Sequence, residues 1–293
     1  VAMERAFGWN RTQLSLALSF TRVEGGILGP IEGYLVDRFG TKRMVLIGMI
    51  IMGFGWIVFS RINHLLIFYF AYLVIALGQG LGSWLALNTM MNNWFVRRRS
   101  FAMGLSNALS RFGALFFVPL LAWLVDPDFL DRPGWSLTAF ILGIVTILLA
   151  FPLTSLLRNK PEDYGLLPDG DTKEDIERRN KEAAISGVKI EQEYDFTVSQ
   201  ALRSRAFWFI SFGHGFTSMV LLAFMLHLAP MMTDQGYTLQ TAAFVVSAYT
   251  AVSMVFQLIG GYVGDRMPKN VALMMFTLCQ ALGVFILTFG PPN

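Results

Sequence analysis

A single cysteine, Cys279, rules out a disulfide framework and any cysteine-based metal site, and it reads as a small buried or lipid-facing residue. Charge is scarce as well: 15% of residues are charged against 54% hydrophobic, and the mean hydropathy is +0.52. Such a chain is too apolar for a water-soluble protein of its size and needs lipid as its solvent. No HExxH motif or Cys/His cluster is present, and no apolar run alternates with period two. A metalloprotease-like site and a transmembrane β-barrel therefore both lack their sequence signals. No cleavable signal peptide is visible, and the chain opens on Val1.

What is present is a series of long apolar runs. A polar lead-in to Arg11 carries Trp9 as an interfacial anchor. Apolar sequence then occupies about Thr12–Val36, Met44–Ser60, Leu65–Trp94, Ser100–Val125, Leu137–Leu157, Ala206–Met231, Gln240–Val263 and Val271–Phe289. Runs of this length suit the ~30 Å hydrocarbon core. The predicted fold class is all-α, a polytopic membrane bundle of about eight helices. The net charge of +3 is gathered in alternate loops, which points to topology rather than a nucleic-acid partner. Arg38, Lys42, Arg43, Arg97, Arg98, Arg99, Arg266 and Lys269 mark one side, the cytoplasm. Arg5, Arg11, Arg61, Arg132 and the acidic Asp126, Asp128 and Asp131 mark the other.

The segment GYLVDRFGTKR, Gly33–Arg43, is a charged hairpin between two such runs, with Gly40 at the reversal. GYVGDRMPK, Gly261–Lys269, repeats its Gly, Asp and Arg at the same spacing. One such loop in each half of a hydrophobic chain indicates an internally duplicated transporter fold. The pattern G-x-x-x-D-R-x-G-x-[RK]-[RK], carried by Gly33, Asp37, Arg38, Gly40, Lys42 and Arg43, resembles the signature loop after the second helix of the major facilitator superfamily. Gly261, Asp265 and Arg266 form a second, degraded copy, in which Met267 and Pro268 replace the turn. The run FGWNRTQLSLALSF and Trp94 to Arg99 leading to Ala102 and Gly104 are similar to the oxalate:formate antiporter and monocarboxylate transporter branch.

That resemblance implies twelve helices in two halves, of which this chain carries helices two to nine and lacks helix one and helices ten to twelve. It implies a first bundle at 1–157, a cytoplasmic connector at 158–205 and the start of a second bundle at 206–293. It also implies that the two hairpins act as a conformational latch. Within the connector, the EDIERRNKEAA stretch predicts a short exposed helix and TVSQALRSRA a short amphipathic one. The rest of Asp169–Gln192 reads as solvated linker.

Charges inside membrane spans are costly and so informative. Arg22 and Glu24 lie about 20 Å above the cytoplasmic boundary and Arg111 about 18 Å above it, close to one depth. Arg22 and Glu24 are about 200° apart on their helix and cannot serve one another. Either Arg111 or Arg22 holds a substrate carboxylate, with Glu24 neutralising the other arginine or binding a coupling proton, or the three belong to ion pairs that secure the bundle. Gln79, Ser83 and Asn88, with His214, Ser218 and His227, lie in helices that face the cavity in the superfamily. Gln79 and Ser83 share a helical face, as do His214 and Ser218. His214 is either a proton shuttle or a hydrogen-bonded bundle residue. The named branch implies an anion-binding arginine in its eighth helix, yet Phe244–Gly260 offers Tyr249, Thr250 and Gln257 and no base.

The leading expectation is a secondary active transporter that moves a small solute, an organic anion such as a carboxylate, by alternating access. Its partners would be the lipid bilayer and a coupling proton or exchanged anion, with no nucleic acid and no cofactor, in a bacterial inner membrane. The alternative is a proton-driven exporter of uncharged or drug-like compounds. For an enzyme, His227 and Asp234 are the single pair to consider, and no motif supports them.

Overall fold

The computed structural model describes residues 6–125, 134–186 and 196–289, and these contain helices and no strand. Arg5, Asp126, Asp128, Asp131 and Arg132, whose charges entered the topology, lie outside the described residues. In chain order the helices are α1 Arg11–Phe39, α2 Thr41–Phe59, α3 Leu65–Gly82, α4 Trp84–Trp94, α5 Arg99–Val125 and α6 Gly134–Leu156. They continue with α7 Lys173–Ser186, α8 Val198–Arg203, α9 Arg205–Asp234, α10 Leu239–Arg266 and α11 Lys269–Phe289.

Local chemistry accounts for several boundaries. Asn10 and Gln13 form a reciprocal cap at the start of α1, with Oδ1 of Asn10 accepting from the Gln13 N–H at 2.8 Å. The helix runs on through Pro30. It stops at Gly40, where φ of 84° is open to glycine at little steric expense, and α2 begins at the next residue. Thr197 and Gln200 form a second reciprocal cap at α8, and the Thr238 hydroxyl accepts from the Thr241 amide at the start of α10. At α7, hydrogen bonds from the Thr172 hydroxyl and amide hold the Asp175 carboxyl below its usual range, helped by Arg178 and Arg179.

Among the described residues, six stretches are long and apolar enough to cross a membrane: Thr41–Phe59, Leu65–Trp94, Gly134–Leu156, Arg205–Met225, Phe244–Arg266 and Lys269–Leu287. The other two expected spans, α1 and α5, are 29 and 27 residues long. In α1 the charges Arg22, Glu24 and Glu32 interrupt the apolar run.

The described parts of Val1–Met103 and Phe112–Gly170 form one compact unit, and those of Gly104–Arg111 and Asp171–Asn293 a second. In the first unit α2 is central, with α3 on one side and α6 on another. Small residues set these crossings: a Cβ on Gly82 would stand 2.9 Å from Gly48 Cα, and one on Gly53 would stand 2.8 Å from the Gly143 carbonyl. Two apolar clusters cap the unit. One joins Phe59, Phe68, Ala71 and Ala139 to Phe7, Trp9 and Trp135, with Phe7 and Trp9 stacked at 4.5 Å. The other gathers Val36, Met44, Val45, Leu81 and Ala86 near the Gly40 hairpin. In the second unit Gln280 Nε2 donates to the Thr217 carbonyl at 3.2 Å, and Gly104 lies against the backbone of Gln257.

Two expectations need correction. The span Leu65–Trp94 is not one helix, because Ser83 takes φ −124° and ψ −99° and separates α3 from α4. The turn from Gln79 to Ser83 is intact, with the Ser83 amide reaching the Gln79 carbonyl at 2.9 Å, and the interruption separates both from Asn88. Nor is Asp169 part of a solvated linker: its side chain is 2% exposed and is held by three backbone amides. The predicted connector helix is present as α7.

Candidate functional site

Three of the charges lie within long helices, Arg22 and Glu24 on α1 and Arg111 on α5. Arg22 is exposed and Arg111 half-buried, and neither makes an ion pair or hydrogen bond among the described residues. Glu24 is half-buried, and its Oε1 is buried without a partner. Gln79 is exposed and Asn88 half-buried, both on the Gly78 to Asn93 stretch that follows the α2 crossing. His214 and Ser218 do meet, Nε2 to Oγ at 3.5 Å on the exposed face of α9. The side chain of His227 lies outside the described residues.

Glu32 was missed from sequence. It lies on α1, 5% exposed, with Oε1 buried and unpartnered. Its carboxyl fills the position where a side chain on Gly80 of α3 would have to go. Its signal was an acid inside an apolar run, masked by its closeness to the charged hairpin five residues on. Gln257, whose Oε1 is also buried without a partner, is the corresponding unsatisfied group in the second unit.

The hairpin residues fall into two behaviours. Arg38 turns back along its helix, donating to the Tyr34 hydroxyl at 2.8 Å with its guanidinium beside the Tyr34 ring. Arg266 lies over the ring of Tyr262, at 3.7 Å from its centroid. In both copies of Gly-Tyr-x-x-Asp-Arg the arginine is thus beside the tyrosine four residues before it. Asp37 by contrast is exposed and unpaired among the described residues, and Lys42 and Arg43 open α2.

Residues beyond the hairpin hold it in place. Asn159 Oδ1 accepts from the Lys42 amide at 2.8 Å and the Thr41 hydroxyl at 3.1 Å. Its amide group stands 2.9 Å from where a Cβ on Gly40 would lie. Trp94 Nε1 donates to the Arg158 carbonyl at 2.9 Å, and Asp169 accepts from the amides of Val96, Arg97 and Arg98. The start of the connector is thus bolted to two loops of the first unit. Asn159→Ala removes the acceptor at the first turn of α2 and is expected to lower stability by about 1 kcal/mol. Thermal unfolding in detergent checks this, and an unchanged midpoint would show that water replaces the cap without loss.

Long apolar helices with charges among them define a multi-pass membrane protein. The chain belongs to the Major Facilitator Superfamily, whose sequence profile matches residues 1–293. It is 24% identical over 293 residues to a probable hexose phosphate transport protein of Chlamydia muridarum, covering 95% of this chain and 63% of that protein. It is 30% identical over 122 residues to the oxalate:formate antiporter of Oxalobacter formigenes, covering 42% of this chain and 29% of that one. It is 27% identical over 244 residues to monocarboxylate transporter 2 of Mesocricetus auratus, covering 81% of this chain and 48% of that one. The chain thus spans less than two thirds of the length of these relatives.

Proposed function

We propose that the protein is a secondary transporter that moves a small organic anion across a bacterial inner membrane by alternating access. The observation that carries this reading is Arg111, a half-buried guanidinium inside an otherwise apolar helix with no carboxylate partner among the described residues. A cation held in a membrane span without a counter-charge is a binding site for one. The relatives support the same chemistry, since their names specify a hexose phosphate, oxalate and formate, and monocarboxylates.

In this reading Arg111 holds the anionic group and Arg22 offers a second positive charge. Gln79, Asn88 and Ser218 supply neutral hydrogen bonds, and Glu24 and His214 are candidates for proton movement. Residues 1–157 and 206–293 serve as the two bundles and 158–205 as their connector. The hairpin at Gly33, Asp37, Arg38, Gly40, Lys42 and Arg43, with Gly261, Asp265 and Arg266, serves as the latch on the cytoplasmic side. Asp37 is its exposed, unengaged charge.

Uptake of labelled carboxylates and sugar phosphates into vesicles holding the full-length protein tests the proposal. Saturable uptake of one class, competed by its unlabelled form, is expected. Extrusion of uncharged compounds with no anion uptake would replace this reading with that of a proton-driven exporter.

A further inference from the structure

We propose that Glu32 is a proton-binding site, a carboxylic acid that stays neutral while α1 is packed against α3 and releases its proton when the two helices separate. The consequence for coupling rests on the transport reading, but the protonation itself does not. The geometry has three parts. Glu32 is 5% exposed, and one carboxyl oxygen is buried with no hydrogen-bond partner. The carboxyl lies against Gly80 of α3, which has no side chain to displace it. A charge in such a place has lost its water and gained nothing in exchange, so the neutral form is favoured.

Among the described residues no neighbouring group offers a counter-charge. The helices packed on α1 are α2, α3 and α4. On α3 the titratable side chains are Tyr69 and Tyr72, and the Tyr69 hydroxyl already donates to the Gln13 carbonyl at 3.0 Å. None lies on α4, and on α2 Lys42 and Arg43 sit in the first turn beside the hairpin. On α1 itself Arg38 is engaged by Tyr34, while Arg22 is exposed and ten residues away. Asp37 and Glu24 have the wrong sign. A metal-type cation would require several oxygen ligands at one point. No group of three or more His, Cys, Asp or Glu that could hold one occurs among the described residues. A proton needs one carboxyl.

The placement also supplies a switch. Gly80 is next to Gln79 and three residues before the break at Ser83, so the segment facing Glu32 adjoins the interruption between α3 and α4. Movement of α1 away from α3 would admit water to the carboxyl and let it ionise, and closure would require the proton to return. Protonation would then be bound to conformation through one helix contact.

Infrared difference spectroscopy of the purified full-length protein across a pH titration tests the site without any substrate. The wild type should show the carbonyl stretch of a protonated carboxylic acid at neutral pH. Glu24→Gln should keep that band and Glu32→Gln should lose it. Glu32→Asp, which retains an ionisable group, should keep a shifted band and guards against misfolding as the cause of the loss. A band that survives in Glu32→Gln, or is absent from the wild type, overturns the proposal. In vesicles, Glu32→Gln should abolish the response of solute accumulation to an imposed pH gradient. A response equal to wild type, or accumulation driven by sodium instead, overturns the coupling role. Loss of the band in a protein that moves no solute would uphold the proton site and refute transport.

Discussion

Replacing Arg111 with Gln is expected to lower organic-anion uptake by about 30-fold to more than 1000-fold. That range corresponds to the 2–5 kcal/mol typical of truncating one partner of a buried charge pair, at about 1.4 kcal/mol per factor of ten. The loss should appear mainly as weaker binding of the anion. The folded state should barely notice, because Arg111 makes no ion pair among the described residues, so its removal strands no carboxylate. An arginine that secured a bundle would behave in the opposite way: uptake would survive and stability would fall by about 3–5 kcal/mol.

Three companion variants sharpen the measurement. Arg111→Lys keeps the charge but not the planar, two-pronged donor, so an intermediate loss is expected. Arg22→Gln is the internal comparison, since Arg22 is equally unpaired but exposed. Glu24→Gln asks whether the α1 acid matters to the anion at all. Vesicle uptake and thermal unfolding of each variant, taken together, separate binding from stability. Intact uptake with a lowered unfolding midpoint in Arg111→Gln would remove the anion-binding role.

Much of this architecture is legible in the letters. Apolar runs announce the helices, the Gly-Tyr-x-x-Asp-Arg repeat announces the duplication, and helical geometry alone says that Arg22 and Glu24 face apart. The break at Ser83 is not legible, because Gly82-Ser83-Trp84 resembles any small-residue patch. What singles it out is the approach of Gly48 from another helix, a tertiary fact. Glu32 escapes for a related reason: an acid near a charged loop reads as part of the loop until burial shows otherwise. Asn159 and Asp169 sit in a Pro-, Gly- and charge-rich stretch whose composition is that of a solvated linker. Composition describes what a segment would do alone and is silent about free amides waiting at the ends of α2 and α5.

Asp169→Ala is expected to cost about 3 kcal/mol and to release the start of the connector. The carboxylate accepts from the amides of Arg97 at 2.9 Å, Val96 at 3.2 Å and Arg98 at 3.4 Å, and Arg97 Nε stands 3.6 Å away. These amides lie in the turn just before α5, beside the positive end of that helix's dipole, which also favours a negative charge. A hydrogen bond to a charged acceptor contributes about 1.5–3 kcal/mol, and water reaching these exposed residues recovers part of that. Asp169 also holds φ of 60°, a conformation that penalises alanine by about 1 kcal/mol but not glycine. Asp169→Gly should therefore be less damaging than Asp169→Ala, the reverse of the usual order in a helix. Asp169→Asn, which keeps one acceptor oxygen and loses the charge, should fall nearer the wild type. Hydrogen exchange at residues 96–98 and 159–170 reads the outcome directly. Wild-type protection in Asp169→Ala would mean that Asn159 and the Trp94 contact hold the connector without it. Faster exchange at both segments together would show that one carboxylate ties the connector to the loop that precedes α5, the helix on which Arg111 is carried.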